Sequence, residues 1–451
     1  MARCAARHVH VNRGRRQLRG DDPEPPTDAG RHGGELGQAG AGECRFADES
    51  AHREAGESVM ARAILLVLLF LLSWILYLDR AAISTAKDLI SRDLGLSNDA
   101  MGVVFGAFAL AYALGQIPAG WFADRFGPRL TLTVVVASWS VFTALTGLAP
   151  EFATLVVIRF LFGLAEAGAF PASARAFYTW LPPEQHGRAN GIIFSGSRLG
   201  AALSFPILAG LLDGFGWRVA FYVLGIPGLL WAAVWWAWFR DKPAPVAKTA
   251  NRPLAEIFRS RAMLQVMGQY FASNLTFFLC LSWMLPYLME RYDLTRERAS
   301  WYSMTILLVG ATAQWVSGFL TDWLYRVAPQ WSRRGPALGG FVLAATALAL
   351  LTQAGTAEMA VALFTLATFG TEMTISPSWA YCIDIGGGRA GSVSGAMNMA
   401  GNLGAFVSAS AFPALARWNG GDAGMYFVLA ASLNLASAVL WLRMPYKERT
   451  L

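Results

Sequence analysis

Twelve apolar segments constrain this chain more than any other feature. They fall at about 62–86, 98–120, 129–149, 152–178, 188–212, 218–239, 263–286, 300–322, 336–355, 358–383, 390–416 and 423–443. A helix that crosses a bilayer needs roughly 20 such residues. Lipid offers no water to backbone groups, so each segment must be helical. The expected fold is an all-α polytopic membrane protein of twelve transmembrane helices. Composition agrees: 15% of the 451 residues are charged, where soluble domains run near 25%. Gly, Ala and Ser are frequent in the segments, as close helix packing in lipid requires.

The net charge of +7 does not point to nucleic acid, because Lys and Arg gather in the breaks on one side. The break after span 6 holds Arg240, Lys242, Lys248, Arg252, Arg259 and Arg261. On the same side lie Arg125 and Arg129, then Arg326, Arg333 and Arg334, then Arg443, Lys447 and Arg449. That side is expected to face the cytoplasm, with both termini on it. The organisation expected is a polar extension over 1–59, a six-helix bundle over 60–240, a cytoplasmic linker over 241–262, a second bundle over 263–445 and a tail over 446–451. Residues 1–59 hold nine Arg, ten acidic residues and no sustained apolar run, which suggests disorder. Met60 opens "MARAILLVLLFLL" as a polytopic membrane protein begins and is an alternative start. No small-residue cleavage site follows the first apolar run. Cys4, Cys44, Cys280 and Cys382 show no paired spacing, so neither a disulfide framework nor a metal site is expected.

The two bundles read as copies. "GWFAD" at 120–124 is answered by "GFLTD" at 318–322, and "EAGAFP" at 166–171 by "EMTISP" at 372–377. "GRA" at 187–189 recurs at 388–390, and "LGA" at 199–201 recurs at 403–405. Four pairs in one order at 198–206 residues imply a duplicated six-helix unit. Parallel repeats of this kind place a binding site near the bilayer midplane, between the halves.

Several charges lie inside the spans, where each costs at least ~2.5–3.5 kcal/mol. Asp79 and Arg80 are adjacent in span 1 and point about 100° apart, so each needs its own partner. Arg159 and Glu166 in span 4 are seven residues apart and share a face. A glutamate among Leu, Ala and Gly is a candidate proton carrier, since its charged form is costly there without a cation. Arg80, Arg159 and Arg198 offer planar forks that grip a carboxylate with two hydrogen bonds. Arg198 can instead pair with Glu166 or Glu372. Tyr77, Tyr112, Asn274, Trp283, Asn398 and Asn402 are groups that can meet a hydroxylated ligand, or simply pack. Pro118, Pro171, Pro206 and Pro377 are expected to kink their helices. The loop "GWFADRFGPR" at 120–129 puts Asp124, Arg125 and Arg129 where helices end. There they can bind helix termini and latch the halves.

That loop resembles the signature loop between helices 2 and 3 of the major facilitator superfamily, with Gly120, Asp124, Arg125, Gly127 and Arg129 in place. Gly318 and Asp322 resemble its weaker echo between helices 8 and 9. "YLDRAAIS", "RFLFGLAEAGAFPA", "GWRVAFYVLG" and "SGAMNMAGNLG" are similar to the anion:cation symporter family within it, over residues 62–445. The resemblance implies two pseudo-symmetric six-helix halves, alternating access and proton-coupled uptake of an organic anion, such as a hexuronate, aldonate or aldarate. It implies proton coupling by Asp79, Glu166 and Arg159. It implies anion binding by Arg80 with Tyr77, Tyr112 and Asn398, and tuning by Arg198 and Glu372. The partners expected are a small organic anion, a proton and the lipid bilayer, with no cofactor, for a monomer in a bacterial inner membrane. A proton-coupled exporter and a transporter-like anion sensor are the alternatives. No nucleophile–base cluster suggests an enzyme.

Overall fold

A computed structural model describes the backbone of residues 36–242, 254–420 and 422–445. It describes their side chains from 59 onward, apart from 205, 281, 282, 296 and 307. The chain forms two compact units, Met1–Ile64 and Leu65–Leu451. The first is helical from Leu36, where the sequence suggested no regular structure. Residues 36–60 hold five Ala and four Glu, both strong helix formers. His8, His10, His32, Cys4, Lys248, Arg252, Lys447 and Arg449 lie outside the described residues, as do the side chains of Cys44 and His52.

Among the described residues, twelve spans run in two sets of six, some of them joined end to end in one long helix. Span 1 is Val59–Thr85. Spans 2 and 3 are the arms of Asn98–Thr146, broken at Gly127 (φ 83°). Span 4 joins Phe152–Glu166 to Ala169–Trp180. Spans 5 and 6 are the arms of His186–Trp238, broken at Gly216 (φ 72°). Only glycine enters that left-handed region without steric cost, so the two glycines define the corners. Span 7 bends by 48° between Arg261–Cys280 and Met284–Tyr292. Span 8 is Arg296–Val327 and span 9 is Arg334–Leu351. Span 10 joins Ala357–Met373 to Ile375–Gly386, span 11 is Ala390–Trp418 and span 12 is Gly424–Arg443.

The breaks in spans 4 and 10 have one cause. Pro171 and Pro377 lack the N–H that would reach the carbonyl four residues back. In span 10 that carbonyl, of Met373, accepts instead from Ser317 Oγ of span 8 at 2.5 Å. The first break falls directly after Glu166 and the second one residue beyond Glu372.

Two apolar clusters pack the end of the molecule away from the 120–129 loop. One, with Leu78, Met101, Leu155 and Trp217, draws only on spans 1–6 and their connections. The other, with Leu279, Leu288, Phe364 and Phe427, draws only on spans 7–12 and theirs. At this far end each half keeps its own core. The bonds between halves described below lie at mid-depth and at the opposite, latch end.

Candidate functional site

At the latch end, two carboxylates each cap a helix of the other half. Asp124 closes span 2. It accepts from the backbone N–H groups of Gly391 and Ser392, both at 2.8 Å, and from Ser392 Oγ at 2.6 Å. Those donors open span 11, where orphan N–H groups and the helix dipole favour a negative charge. A Cβ at Gly120 would strike the Gly391 carbonyl, so this glycine lets the two helices meet. Asp322 closes span 8 and repeats the arrangement on span 5. It accepts from Gly187 N at 2.9 Å, Arg188 N at 3.0 Å and Arg188 Nε at 2.9 Å. Gly318 lies against the Gly187 carbonyl in the same way.

Arg129 does not cross between halves. Its Nη2 and Nε donate to the Trp236 carbonyl at 2.8 and 3.2 Å, at the end of span 6. Its backbone N–H meets Asp241 at 3.1 Å. Partial burial pushes the Asp241 carboxyl up, against the opposing pull of Arg129. Arg125 is exposed and stacks 5.7 Å over Phe126. Gly127 supplies the corner that seats Arg129. A third tie was not legible beforehand: Arg333 binds Asp384 at 2.8 Å and the Pro183 carbonyl at 2.8 Å. His186 Nδ1 stands 3.4 Å from the same Asp384.

At mid-depth the charged residues sort into two groups. Arg80 Nε binds Glu166 Oε1 at 2.7 Å. Glu166 therefore takes its cation from span 1 and not from Arg159 on its own helix face. The Arg80 guanidinium lies 4.3 Å over Tyr112 and 5.3 Å over Tyr77 and over Phe108. Its side chain is 21% exposed while that of Glu166 is fully buried. Arg159 is buried over the Phe162 ring at 4.1 Å. Asp79 is 1% exposed, and both its oxygens are buried with no hydrogen-bond partner among the described residues. Arg80 Nη2, Glu166 Oε2 and two nitrogens of Arg159 share that condition. Unmet buried polar atoms are costly, and so many together mark a place built to accept a ligand, a proton or water.

The second group crosses between halves. Arg198 of span 5 donates to Glu372 Oε1 of span 10 through Nη2 at 2.7 Å and Nε at 3.0 Å. Gln314 Nε2 of span 8 donates to the other carboxylate oxygen. Arg198 Nη1 reaches Tyr77 Oη at 3.4 Å, and its guanidinium covers Phe277 at 4.2 Å. Tyr77 thus stands between Arg80 and Arg198. Asn398 of span 11 donates to Gln116 Oε1 at 2.9 Å and to Tyr112 Oη at 3.4 Å. Tyr77, Arg80, Tyr112, Glu166, Arg198, Glu372 and Asn398 therefore form one connected network.

Among the described residues, three candidates make no bond to the side chains of this network. Trp283 stacks on Phe412 at 5.2 Å beside the far-end core of the second half. Asn274 turns its Nδ2 onto the Tyr270 carbonyl one helical turn back, at 3.0 Å. Asn402 likewise bonds its own helix, at Asn398. Gln116 and Gln314 were missed, yet the repeat held them: "GQIPAGWFAD" at 115–124 aligns with "AQWVSGFLTD" at 313–322. Phe108 and Phe277 carried no signal among 28 phenylalanines.

Residues 69–409 match the profile described as Major Facilitator Superfamily. A "Probable sulfoacetate transporter SauU" of Cupriavidus necator is 33% identical over 79% of this chain and 87% of its own. A "Hexuronate transporter" of Bacillus subtilis is 31% identical over 84% of this chain and 93% of its own. Among solved structures, the transporter FucP in the outward conformation aligns with a TM-score of 0.69 at 14% identity, covering 85% of this chain and 99% of that one. The match to FucP speaks to the fold alone.

Proposed function

Because this chain belongs to the Major Facilitator Superfamily, we propose that it is a secondary active transporter driving uptake of a small organic anion with protons. A sugar acid, namely a hexuronate, aldonate or aldarate, suits the network of an arginine fork with tyrosine and asparagine around it. The names of the relatives support an acidic cargo. We place the latch end, and with it both chain termini, in the cytoplasm of a bacterial inner membrane, because the Lys and Arg of the breaks gather there.

One observation carries the reading: Arg80, reachable at its edge, is held by a buried glutamate of its own half. A carboxylate substrate and Glu166 compete for the same guanidinium. Protonating Glu166 cancels its claim and frees Arg80 for the anion. Tyr77, Tyr112 and Asn398 then orient the ligand's hydroxyl groups. Arg159 is near enough to feel the charge of both Glu166 and Asp79, so it couples the two carboxyls. Asp79, with no cation bonded to it, holds a second proton. A proton taken up with the anion offsets the anion's charge, so the loaded carrier rocks without the extra membrane charge that the anion alone would add. The halves then part at the latch end, where Asp124 and Asp322 must give up their helix caps.

Purified protein is first screened by thermal shift against sugar acids and sulfoacetate. The best stabiliser, radiolabelled, is then offered to proteoliposomes. Uptake is expected to rise with an inward proton gradient and to ignore a sodium gradient. Uptake driven by sodium alone, or insensitive to both, contradicts the reading.

A further inference from the structure

A groove of ≈ 450 Å³ lies at the latch end, where span 7 begins and span 12 ends. Arg259, Arg261 and Arg443 line it, with Leu264, Leu440 and Gln265. Arg259 ends the short helix Leu254–Arg259, Arg261 opens span 7 and Arg443 closes span 12. Three cations thus converge from three helix ends. Among the described residues none of them makes an ion pair, although eight such pairs form elsewhere among those residues. Uncompensated like charges repel, so their convergence points to an anion.

Gln265 adds an independent sign. It is only 7% exposed, and its Oε1 is buried with no hydrogen-bond partner among the described residues. A buried acceptor of that kind calls for a donor. Leu264 and Leu440, one turn inward on each helix, give the groove an apolar wall on the membrane side. Spans 7 and 12 touch just beyond it, where a Cβ on Gly268 would meet Leu440 at an ordinary 3.6 Å.

We propose that this groove binds the headgroup of an anionic phospholipid in the leaflet at the latch end. The phosphodiester sits among the three arginines, which grip phosphate oxygens in pairs. A glycerol hydroxyl of the headgroup donates to Gln265. The first acyl methylenes lie on Leu264 and Leu440. A free phosphate would leave that apolar wall uncovered. By joining the ends of spans 7 and 12, the lipid ties together two helices of the second half.

The probe is dioleoylphosphatidylglycerol added to purified full-length protein in detergent, read by thermal unfolding and by native mass spectrometry. Dioleoylphosphatidylcholine and inorganic phosphate are the comparison arms. Phosphatidylglycerol is expected to stabilise the protein and to remain bound, and the other two to do neither. Each basic group near an anionic headgroup contributes roughly a fivefold factor. Arg443→Gln is then expected to weaken binding about fivefold, and Arg259→Gln/Arg261→Gln/Arg443→Gln roughly 100-fold. All three side chains are exposed, and the single variants decide if the triple variant does not fold. Arg326→Gln, an exposed arginine at the same end, is expected to bind as the parent does. The proposal is overturned if phosphatidylcholine or inorganic phosphate stabilises equally. Unchanged binding in the triple variant, or equal loss in Arg326→Gln, overturns it as well.

Discussion

Glu166 and Glu372 occupy equivalent places in the two halves, 206 residues apart, yet they are wired differently. Each sits just before the proline break of its helix, and each has an arginine nitrogen at 2.7 Å. Glu166 takes its arginine from its own half, Arg80 of span 1. Glu372 takes its arginine from the other half, Arg198 of span 5. Glu372 is also saturated, with Gln314 on its second oxygen, whereas Glu166 Oε2 has no partner among the described residues. A pair within one half can exchange partners while the halves stay still. A pair between halves must stretch or break whenever they rock. Under the proposed function, the duplicated unit puts chemistry at one copy of the glutamate and a strut at the other.

The largest way to break this contrast is Arg80→Ala. Truncating one partner of a buried charge pair costs roughly 2–5 kcal/mol, so substrate counterflow should fall at least ~30-fold, with loss of the thermal shift by substrate. Survival of counterflow near the parent level would remove Arg80 from the site. Next comes Arg198→Ala, which leaves Glu372 buried with Gln314 alone. About 3 kcal/mol of stability should go with it. Spin-label distances across the latch end should then shift toward an open population, and an unchanged distribution would show that the strut bears no tension. Asp124→Asn and Asp322→Asn should loosen the latch less. Each charge-assisted hydrogen bond there is worth about 1.5–3 kcal/mol, but an asparagine still accepts one of them. Cysteine crosslinking between spans 2 and 11, or 5 and 8, should slow several-fold. The smallest effect belongs to Trp283→Phe, which keeps its stack on Phe412. Transport within about twofold of the parent is expected, and a larger loss would return Trp283 to the site.

The architecture was legible because lipid permits so few alternatives. Apolar length alone gave the twelve helices, and the repeat gave the two halves. The latch carboxylates were also in the sequence, since a helix end that meets another helix end needs a small residue and an acid. Which cation Glu166 would choose was not legible. The seven-residue spacing puts Arg159 on its face, but the packing of span 1 against span 4 brings Arg80 closer. Helix rotation decides that choice, and periodicity within one helix does not report rotation between two. Arg129 shows the same limit: a basic residue at a helix end can bind any nearby terminus, and it binds span 6 of its own half. Its echo, Arg334, donates to the Met444 carbonyl beyond span 12, 205 residues on. The repeat thus extends to contacts that no single motif suggested.

The contrast between the two glutamates is tested most directly by measuring Glu166→Gln and Glu372→Gln side by side in proteoliposomes. Each is assayed for substrate exchange without a gradient and for accumulation under an inward proton gradient. Glu166→Gln should retain exchange and lose accumulation, while Glu372→Gln should lower both in proportion. Accumulation by Glu166→Gln at the parent level would contradict the assignment of coupling to the pair within the first half.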